Sequence, residues 1–396
     1  MSALEIQHRD PGTLARAGVL RTPHGEIRTP AFVPLATKAT VKSLLPHEVA
    51  ELGYDMVLGN TFHLFLDPGH ERIRRFRGLH EFMGWRAPII TDSGGFQVFS
   101  MGHGTVADEV KGRAPMGQER MGKILAIEED GVAFRSYLNG ETLFMGPETS
   151  MEIQGALGSD IALVFDECTP FNVTREYTQR STERTHRWLD RCLAWHDAHG
   201  PEGQLVYGIS QGGVHEDLRV ESTQAVASRP VDGIAIGGSL GADKPQMYEV
   251  VSWATAAIAD DPRPRHLLGI GEVDDLIRGV ELGIDTFDCA MPTRLGRHGV
   301  AVVNDPERRW RVDLTAGRFK DSDEPLLEGC PCPACALGYT RGYLRYLVHA
   351  RELTGQRLLT LHNLAYLSRL MQRLRAAIAE GTLAATAAAL RAGELP

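Results

Sequence analysis

The chain has 396 residues, 43% hydrophobic and 23% charged, enough to bury one large core or two ordinary ones. No uninterrupted apolar stretch approaches a membrane span, and the polar start, residues 1–10, lacks a signal-peptide core. A net charge of −9 argues against a nucleic-acid partner, yet residues 290–360 hold eleven Lys and Arg against eight Asp and Glu, a local +3 that suits RNA on one face as well as an ordinary solvated surface.

Along the chain, residues 1–30 carry alternating, threonine-bearing segments and predict a small antiparallel sheet. Eight short apolar runs follow, at 31–34, 55–59, 88–91, 160–165, 205–209, 233–236, 266–270 and 285–287. Continuous apolar runs suit parallel strands buried on both faces, and helical patterns lie between many of them, as at 181–198 and 274–282. Eight strand–helix units predict an α/β fold, a (β/α)8 barrel, with an open doubly wound sheet as runner-up. Residues 102–125 are rich in Gly, Lys, Arg and Met without a period and read as a surface insertion after the third strand. Near the end, Cys330, Cys332 and Cys335 cluster, and residues 358–380 carry a leucine stripe at helical spacing. The expected division is a capping sheet (1–30), the barrel (31–300), an inserted metal-binding subdomain (301–357), and a last barrel helix with a tail (358–396).

Three thiols within six residues, stiffened by Pro331 and Pro333, read as a metal knuckle rather than a disulfide framework. Three thiolates and an imidazole favour zinc, and His349 and His362 are the nearest downstream histidines. Reduced thiols without a secretion signal place the chain in the cytoplasm. Cys192 and Cys289 read as core packing.

The apolar runs end in polar or glycine-rich tags, at the strand ends where barrel enzymes place their chemistry. Asp92, Asp166 and Asp288 are the carboxylates among them. One such aspartate is as often a helix cap as a catalyst; three on one rim point to a shared site, and paired carboxylates suit glycosyl transfer. Ser93 to Gln97, Gln211 to Gly213 and Gly237–Gly238 supply amides and bare backbone N–H groups suited to a purine edge.

These motifs resemble the tRNA-guanine transglycosylase family. The matching stretches are 59–63 (Gly-Asn-Thr-Phe-His), 91–97 (Thr-Asp-Ser-Gly-Gly-Phe-Gln), 158–161 (Gly-Ser-Asp-Ile), 165–170 (Phe-Asp-Glu-Cys-Thr-Pro), 211–213, 235–238 and 287–294 (Phe-Asp-Cys-Ala-Met-Pro-Thr-Arg), with the cysteine knuckle. The resemblance implies a zinc-containing barrel, usually homodimeric in bacteria. It implies exchange of the wobble guanine, position 34, in tRNAs with a GUN anticodon (Asp, Asn, His and Tyr) for 7-aminomethyl-7-deazaguanine (preQ1), on the route to queuosine. By the same resemblance Asp288 is the nucleophile and Asp92 moves protons, held by Asn60 and Thr61 in the empty site. Ser93 and Cys168 belong to the base pocket, Asp166 binds the purine N1/N2 edge, and Gln211, Gly237 and Gly238 meet its carbonyl side. Phe96 and Leu268 cover the base faces, Arg294 and Arg297 contact the anticodon loop, and Cys330, Cys332, Cys335 and His362 bind one structural zinc. His349 is then a surface histidine.

Gly241 stands where bacterial relatives mostly carry valine, a feature of enzymes that use queuine, whereas Cys168 is the bacterial choice. A glycine there implies a wider pocket and keeps queuine as an alternative base. Other readings are a catalytically silent RNA-binding paralogue, against which the three aspartates speak, and an enzyme acting on the tRNA D-loop, whose extra RNA-binding domains have no room before Pro396. A glycosidase-like barrel leaves the knuckle unexplained.

Overall fold

The structure is a computed structural model that describes residues 3–102 and 124–396. All eight apolar runs form strands, and they close a parallel barrel. In chain order these are Ala31–Ala36, Val57–Gly59, Ile89–Thr91, Ile161–Leu163, Leu205–Ser210, Gly233–Ile236, Arg265–Leu267 and Thr286–Cys289, called barrel strands one to eight. Strand eight pairs with strand one, Phe287 opposite Phe32, which shuts the ring. Most strands are only three or four residues long. The seventh stops at Leu267 rather than at residue 270, so Leu268 to Ile270 open into the rim. Inward side chains such as Ile90, Ile161, Ile209 and Ala235 are fully buried or nearly so, and the interior is packed rather than open.

Residues Leu4–Arg9, Arg16–Thr22 and Gly25–Thr29 form the expected antiparallel sheet. A buried fork ties it to the barrel: Arg16 Nε and Nη2 donate to the two Asp285 oxygens at 2.9 and 2.7 Å, just before strand eight. Arg16 Nη1 and Nη2 also donate to the carbonyls of Asp261 and Arg263, so every nitrogen of this buried fork has a partner, as burial of charge requires.

Helices Arg175–His199 and Val273–Glu281 cover the two expected helical stretches. The last long helix spans Leu353–Glu380 and begins five residues before the expected start, capped at Glu352. It packs on the barrel's first half, where Tyr54 Oη donates to Leu364 O at 2.7 Å and Arg375 Nη1 to Pro30 O at 2.7 Å. Beyond it, the segment expected as a tail holds a further helix, Leu383–Arg391.

Residues 103–123, most of the expected insertion, lie outside the described residues. Next to them stands a sheet that the sequence reading did not foresee: Ile124–Ile127, Val132–Arg135 and Thr142–Met145, antiparallel. Its signal was present, since Val132 and Phe134 alternate with polar or small residues and Asn139–Gly140 marks the turn into the next strand. After strand eight come helix Met291–Arg297, a hairpin of Val300–Val302 with Arg311–Asp313, and the short helices Pro333–Ala336 and Arg341–His349. No helix among the described residues is long and apolar enough to cross a membrane.

Candidate active site and metal centre

Every rim residue singled out in the sequence follows the C-terminal end of its barrel strand or lies at it. Asn60 and Thr61 leave strand two, Asp92 and Ser93 strand three, Asp166 strand four, Gln211 strand five, Gly237 and Gly238 strand six, and Leu268 strand seven; Asp288 sits in strand eight. The closed ring brings these chain-distant residues to one mouth.

Asp92 is held from strand two. The Thr61 backbone N–H donates to Oδ1 at 2.8 Å, Asn60 Nδ2 donates to Oδ2, and Gln97 Nε2 adds a bond to Oδ2 at 3.2 Å. Asn60 serves twice, since its Oδ1 caps the next helix by accepting from His63 N at 2.9 Å. Burial pushes the Asp92 carboxyl up to about 7; the Thr61 bond opposes this and the nearby Asp288 charge adds to it. A carboxyl poised there exchanges protons in either direction at neutral pH.

Asp166 is buried and doubly held: Ser93 Oγ donates to Oδ1 at 2.9 Å and Gln211 Nε2 to Oδ2 at 2.6 Å. Ser93 Oγ itself accepts from Gly95 N at 3.1 Å. Burial pushes Asp166 up to about 6, against the pull of its two donors. Gly238 (φ +77°) lies against Gln211 so closely that a Cβ there would fall 2.1 Å from Gln211 Oε1. Leu268 reaches the same spot, its Cδ1 3.2 Å from where a Gly237 Cβ would be. The Cys168 thiol sits beside the Gly238 N–H and is pushed up by burial and by Asp166, so it stays neutral. Phe96, on the first turn after Gly95, is exposed, an aromatic face free to stack.

Asp288 Oδ1 accepts from Gly269 N at 3.1 Å and lies 3.2 Å from His266 Nε2. Arg294 is exposed and Arg297 half-buried on the helix after strand eight. Two lysines that the sequence reading missed join them: Lys42 feels the charges of Arg297 and Lys38 and is pushed down by burial and by both. Their position was the available signal, because both follow the C-terminal end of strand one.

At the knuckle, Cys330, Cys332 and Cys335 surround His362, with Sγ to Nδ1 distances of 3.8, 3.3 and 3.5 Å. Zn–S bonds of about 2.3 Å and a Zn–N bond of about 2.0–2.1 Å at tetrahedral angles require edges of roughly 3.6 Å, so the four residues fit such an ion. His362 Nε2 donates to Val302 O at 2.8 Å, which leaves Nδ1 as the ligand atom. Cys332 Sγ accepts from Cys335 N at 3.4 Å and caps the short helix between them. His349 stays outside, 3.2 Å from Thr315 O. Four protein ligands leave no open position, the signature of a structural site.

A second group, His24, His80 and Asp160, lies at the opposite end of the barrel. Both Asp160 oxygens already accept backbone N–H groups, from His24 at 3.0 Å and Ile89 at 2.8 Å, and the two imidazoles stack face to face at 3.6 Å. Parallel rings do not converge their lone pairs on one ion, and the cluster reads as a hydrogen-bonded closure of the barrel floor.

Comparison with known proteins agrees with this geometry. The family model described as queuine tRNA-ribosyltransferase matches residues 10–393. A queuine tRNA-ribosyltransferase of Roseiflexus sp. (strain RS-1) is 49% identical over 391 residues, 96% of this chain and 97% of the relative. One from Pelotomaculum thermopropionicum is 45% identical over 379 residues, covering 96% and 95%, and one from Staphylococcus aureus is 44% identical over 371, covering 93% and 90%. With this coverage from end to end, and the strand-end carboxylates and the cysteine–histidine cluster in place, the chain belongs to the queuine tRNA-ribosyltransferase family.

Proposed function

We propose that this protein is a tRNA-guanine transglycosylase that replaces the wobble guanine at position 34 of tRNAs with a GUN anticodon by preQ1, through a covalent enzyme–RNA intermediate. The observation that carries the reading is the division of labour among three rim carboxylates. Asp166 is locked by two donors, Asp92 is poised near neutrality, and Asp288 keeps Oδ2 without a protein donor among the described residues. In the first step Asp288 Oδ2 bonds to the ribose C1′ as the bond to guanine breaks, and Asp92 gives its proton to the leaving base. In the second, Asp92 takes a proton from the incoming base, whose nitrogen attacks C1′ and releases Asp288. Two displacements retain configuration. Asp166, with Gln211 and Gly238, reads the base edge; Phe96 and Leu268 bracket its faces. A loop base unstacks at a cost of only about a few kcal/mol, which suits a pocket that must receive it whole.

Arg294, Arg297, Lys38 and Lys42 form a positive rim where the anticodon-loop phosphates would lie, on a chain that is acidic overall. The metal is zinc, holding the knuckle. The protein acts as a homodimer; exposed Leu337, Tyr343 and Tyr346 beside the knuckle supply an apolar face of the kind that such an interface uses. It works in the cytoplasm, where its tRNA is.

The test is exchange of labelled guanine into unmodified tRNA-Tyr by the wild type and Asp288→Ala, with the product mapped. The wild type should label position 34 and the variant should not. Undiminished exchange by the variant would remove the nucleophile assignment, and incorporation of queuine but not preQ1 would replace the proposed base.

A further inference from the structure

His266 is fully buried in strand seven, inside an apolar run, and the chemistry above does not use it. Its register partner on strand eight is Thr286, two residues before Asp288 and therefore on the same face of that strand. The imidazole spans both: Nδ1 lies 2.8 Å from Thr286 Oγ1 and Nε2 lies 3.2 Å from Asp288 Oδ1. The second contact does not meet hydrogen-bond geometry, so Nε2 is a buried polar atom without a formed bond, within reach of the carboxylate. Leaving such an atom without a partner is costly, and the Asp288 carboxylate is the acceptor at hand.

A carboxylate only accepts, so the favourable tautomer carries the proton on Nε2 and takes the Thr286 hydroxyl proton as a donor to Nδ1. Gly269 N–H already approaches the same Oδ1 at 3.1 Å. Both donors therefore converge on one oxygen of Asp288 and leave the other free.

We propose that His266, oriented by Thr286, is a positioning residue for the Asp288 carboxylate: it fixes Oδ1, leaves Oδ2 to attack the ribose carbon, and stabilises the carboxylate as it departs. The proposal rests on the assignment of Asp288 as nucleophile. In the first step Oδ2 forms its bond to C1′ while the pair of the glycosidic bond goes to the base. In the ester so formed, Oδ1 is the carbonyl oxygen facing the His266 and Gly269 N–H groups. In the second step the incoming base supplies the pair to C1′, the C1′–Oδ2 bond breaks, and its pair returns to a carboxylate. Negative charge grows on Asp288 in that step, so donors on Oδ1 help breakdown more than formation.

The experiment compares His266→Phe, which fills the space without a donor, with His266→Gln, which keeps an N–H, in the full chain with its metal. The readouts are kcat, KM for tRNA and for guanine, and the fraction of protein in a denaturant-stable adduct with tRNA. The Phe variant should lose roughly 10- to 100-fold in kcat, the low side of what one missing donor to a developing anion costs. Both KM values should stay within about twofold, the adduct fraction should rise, and Gln should recover most of the rate. If Phe does not fold, His266→Asn, whose shorter amide falls short of Oδ1, takes its place. A Phe variant with wild-type kcat overturns the proposal, as does an equal loss in Phe and Gln accompanied by raised KM, which marks a packing role. Asp288→Asn run alongside separates the two readings: an adduct that persists there sinks the nucleophile assignment, whereas its loss together with a fully active His266→Phe sinks the role of His266 alone.

Discussion

Replacing Asp166 by Asn should abolish base recognition while leaving the fold intact, and the geometry sets the size of the effect. The wild-type side chain is 4% exposed and accepts from Ser93 and Gln211. An Asn can keep both neighbours, its oxygen toward Gln211 Nε2 and its amide toward the Ser93 hydroxyl, which can turn to accept. It then presents an N–H to a base edge that itself offers N–H groups. One charge-assisted bond disappears and one donor is left facing a donor, together about 3–4 kcal/mol, or roughly 10²- to 10³-fold in KM for guanine. The pH dependence is a second signature. The Asp166 carboxyl is raised from its ordinary 3.8 to about 6, so it is ionised above that pH and protonates as the pH falls through it. A protonated acid is a poor acceptor for two N–H groups, so the wild-type KM for the base should rise about tenfold per unit below pH 6. The Asn variant should show no such rise. The assay is guanine exchange with KM measured between pH 5 and 8. A wild-type KM that is flat across that window, or an Asn variant within about threefold of wild type, would refute the reasoning.

Asp92 acts on turnover instead: with its carboxyl near 7, the step that needs its proton slows as the pH rises above that value and the step that needs its charge slows as the pH falls below. kcat should therefore peak near neutrality, and Asp92→Asn should remove the peak with most of the rate, as pH–rate profiles will read. Gly238→Ala places a Cβ 2.1 Å from Gln211 Oε1 at φ +77°, which must push Gln211 off Asp166; KM for the base should rise at least about tenfold, and the melting temperature should fall because alanine is strained there. Cys332→Ser should release the metal, detected by elemental analysis, and open the region around 305–355 in hydrogen exchange before the barrel, because such an ion contributes about 10–16 kcal/mol to folding its ligands. Cobalt in its place should leave turnover nearly unchanged, and a rate that tracked the metal would refute a structural role.

The barrel was legible because strands buried on both faces read as unbroken apolar runs, and all eight were found in that way. The carboxylates were legible because a charge at the end of such a run is conspicuous. What escaped was whatever needed register or three-dimensional adjacency. His266 looks like one more residue of an apolar strand until its pairing with Thr286 puts it against Asp288. Lys38 and Lys42 look like loop residues until the barrel closes strand one beside strand eight and brings them to Arg297. By spacing alone the fourth metal ligand was open between two histidines; the resemblance named His362, and the turn of the long helix puts His362, not His349, among the thiols.

Arg219 escaped as well, and it bears on which base the pocket takes. Gly241 implies a wider pocket when read from the sequence. In the structure a Cβ there would lie 2.8 Å from Gln246 Cγ and 2.9 Å from its Oε1, and the backbone at φ +119° favours glycine whatever the pocket holds. Gln246 fills the space, and its Oε1 accepts from Ala242 N at 2.9 Å. Gly241 therefore does not by itself enlarge the site. The loops that carry Gln211 and Gly238 are instead pinned from behind by Arg219, fully buried in the helix Glu216–Ala227. Its Nη1 donates to Ser210 O at 3.0 Å and Gly237 O at 2.9 Å, and its Nη2 to Gly213 O at 2.9 Å. Among the described residues it bonds only backbone carbonyls. Spreading these loops for a bulkier base would strip donors from a buried cation that has no carboxylate to fall back on, a far larger penalty than rotating a side chain. A pocket held in this way resists widening, and the base exchange proposed above asks for no more room than a small aminomethyl group needs.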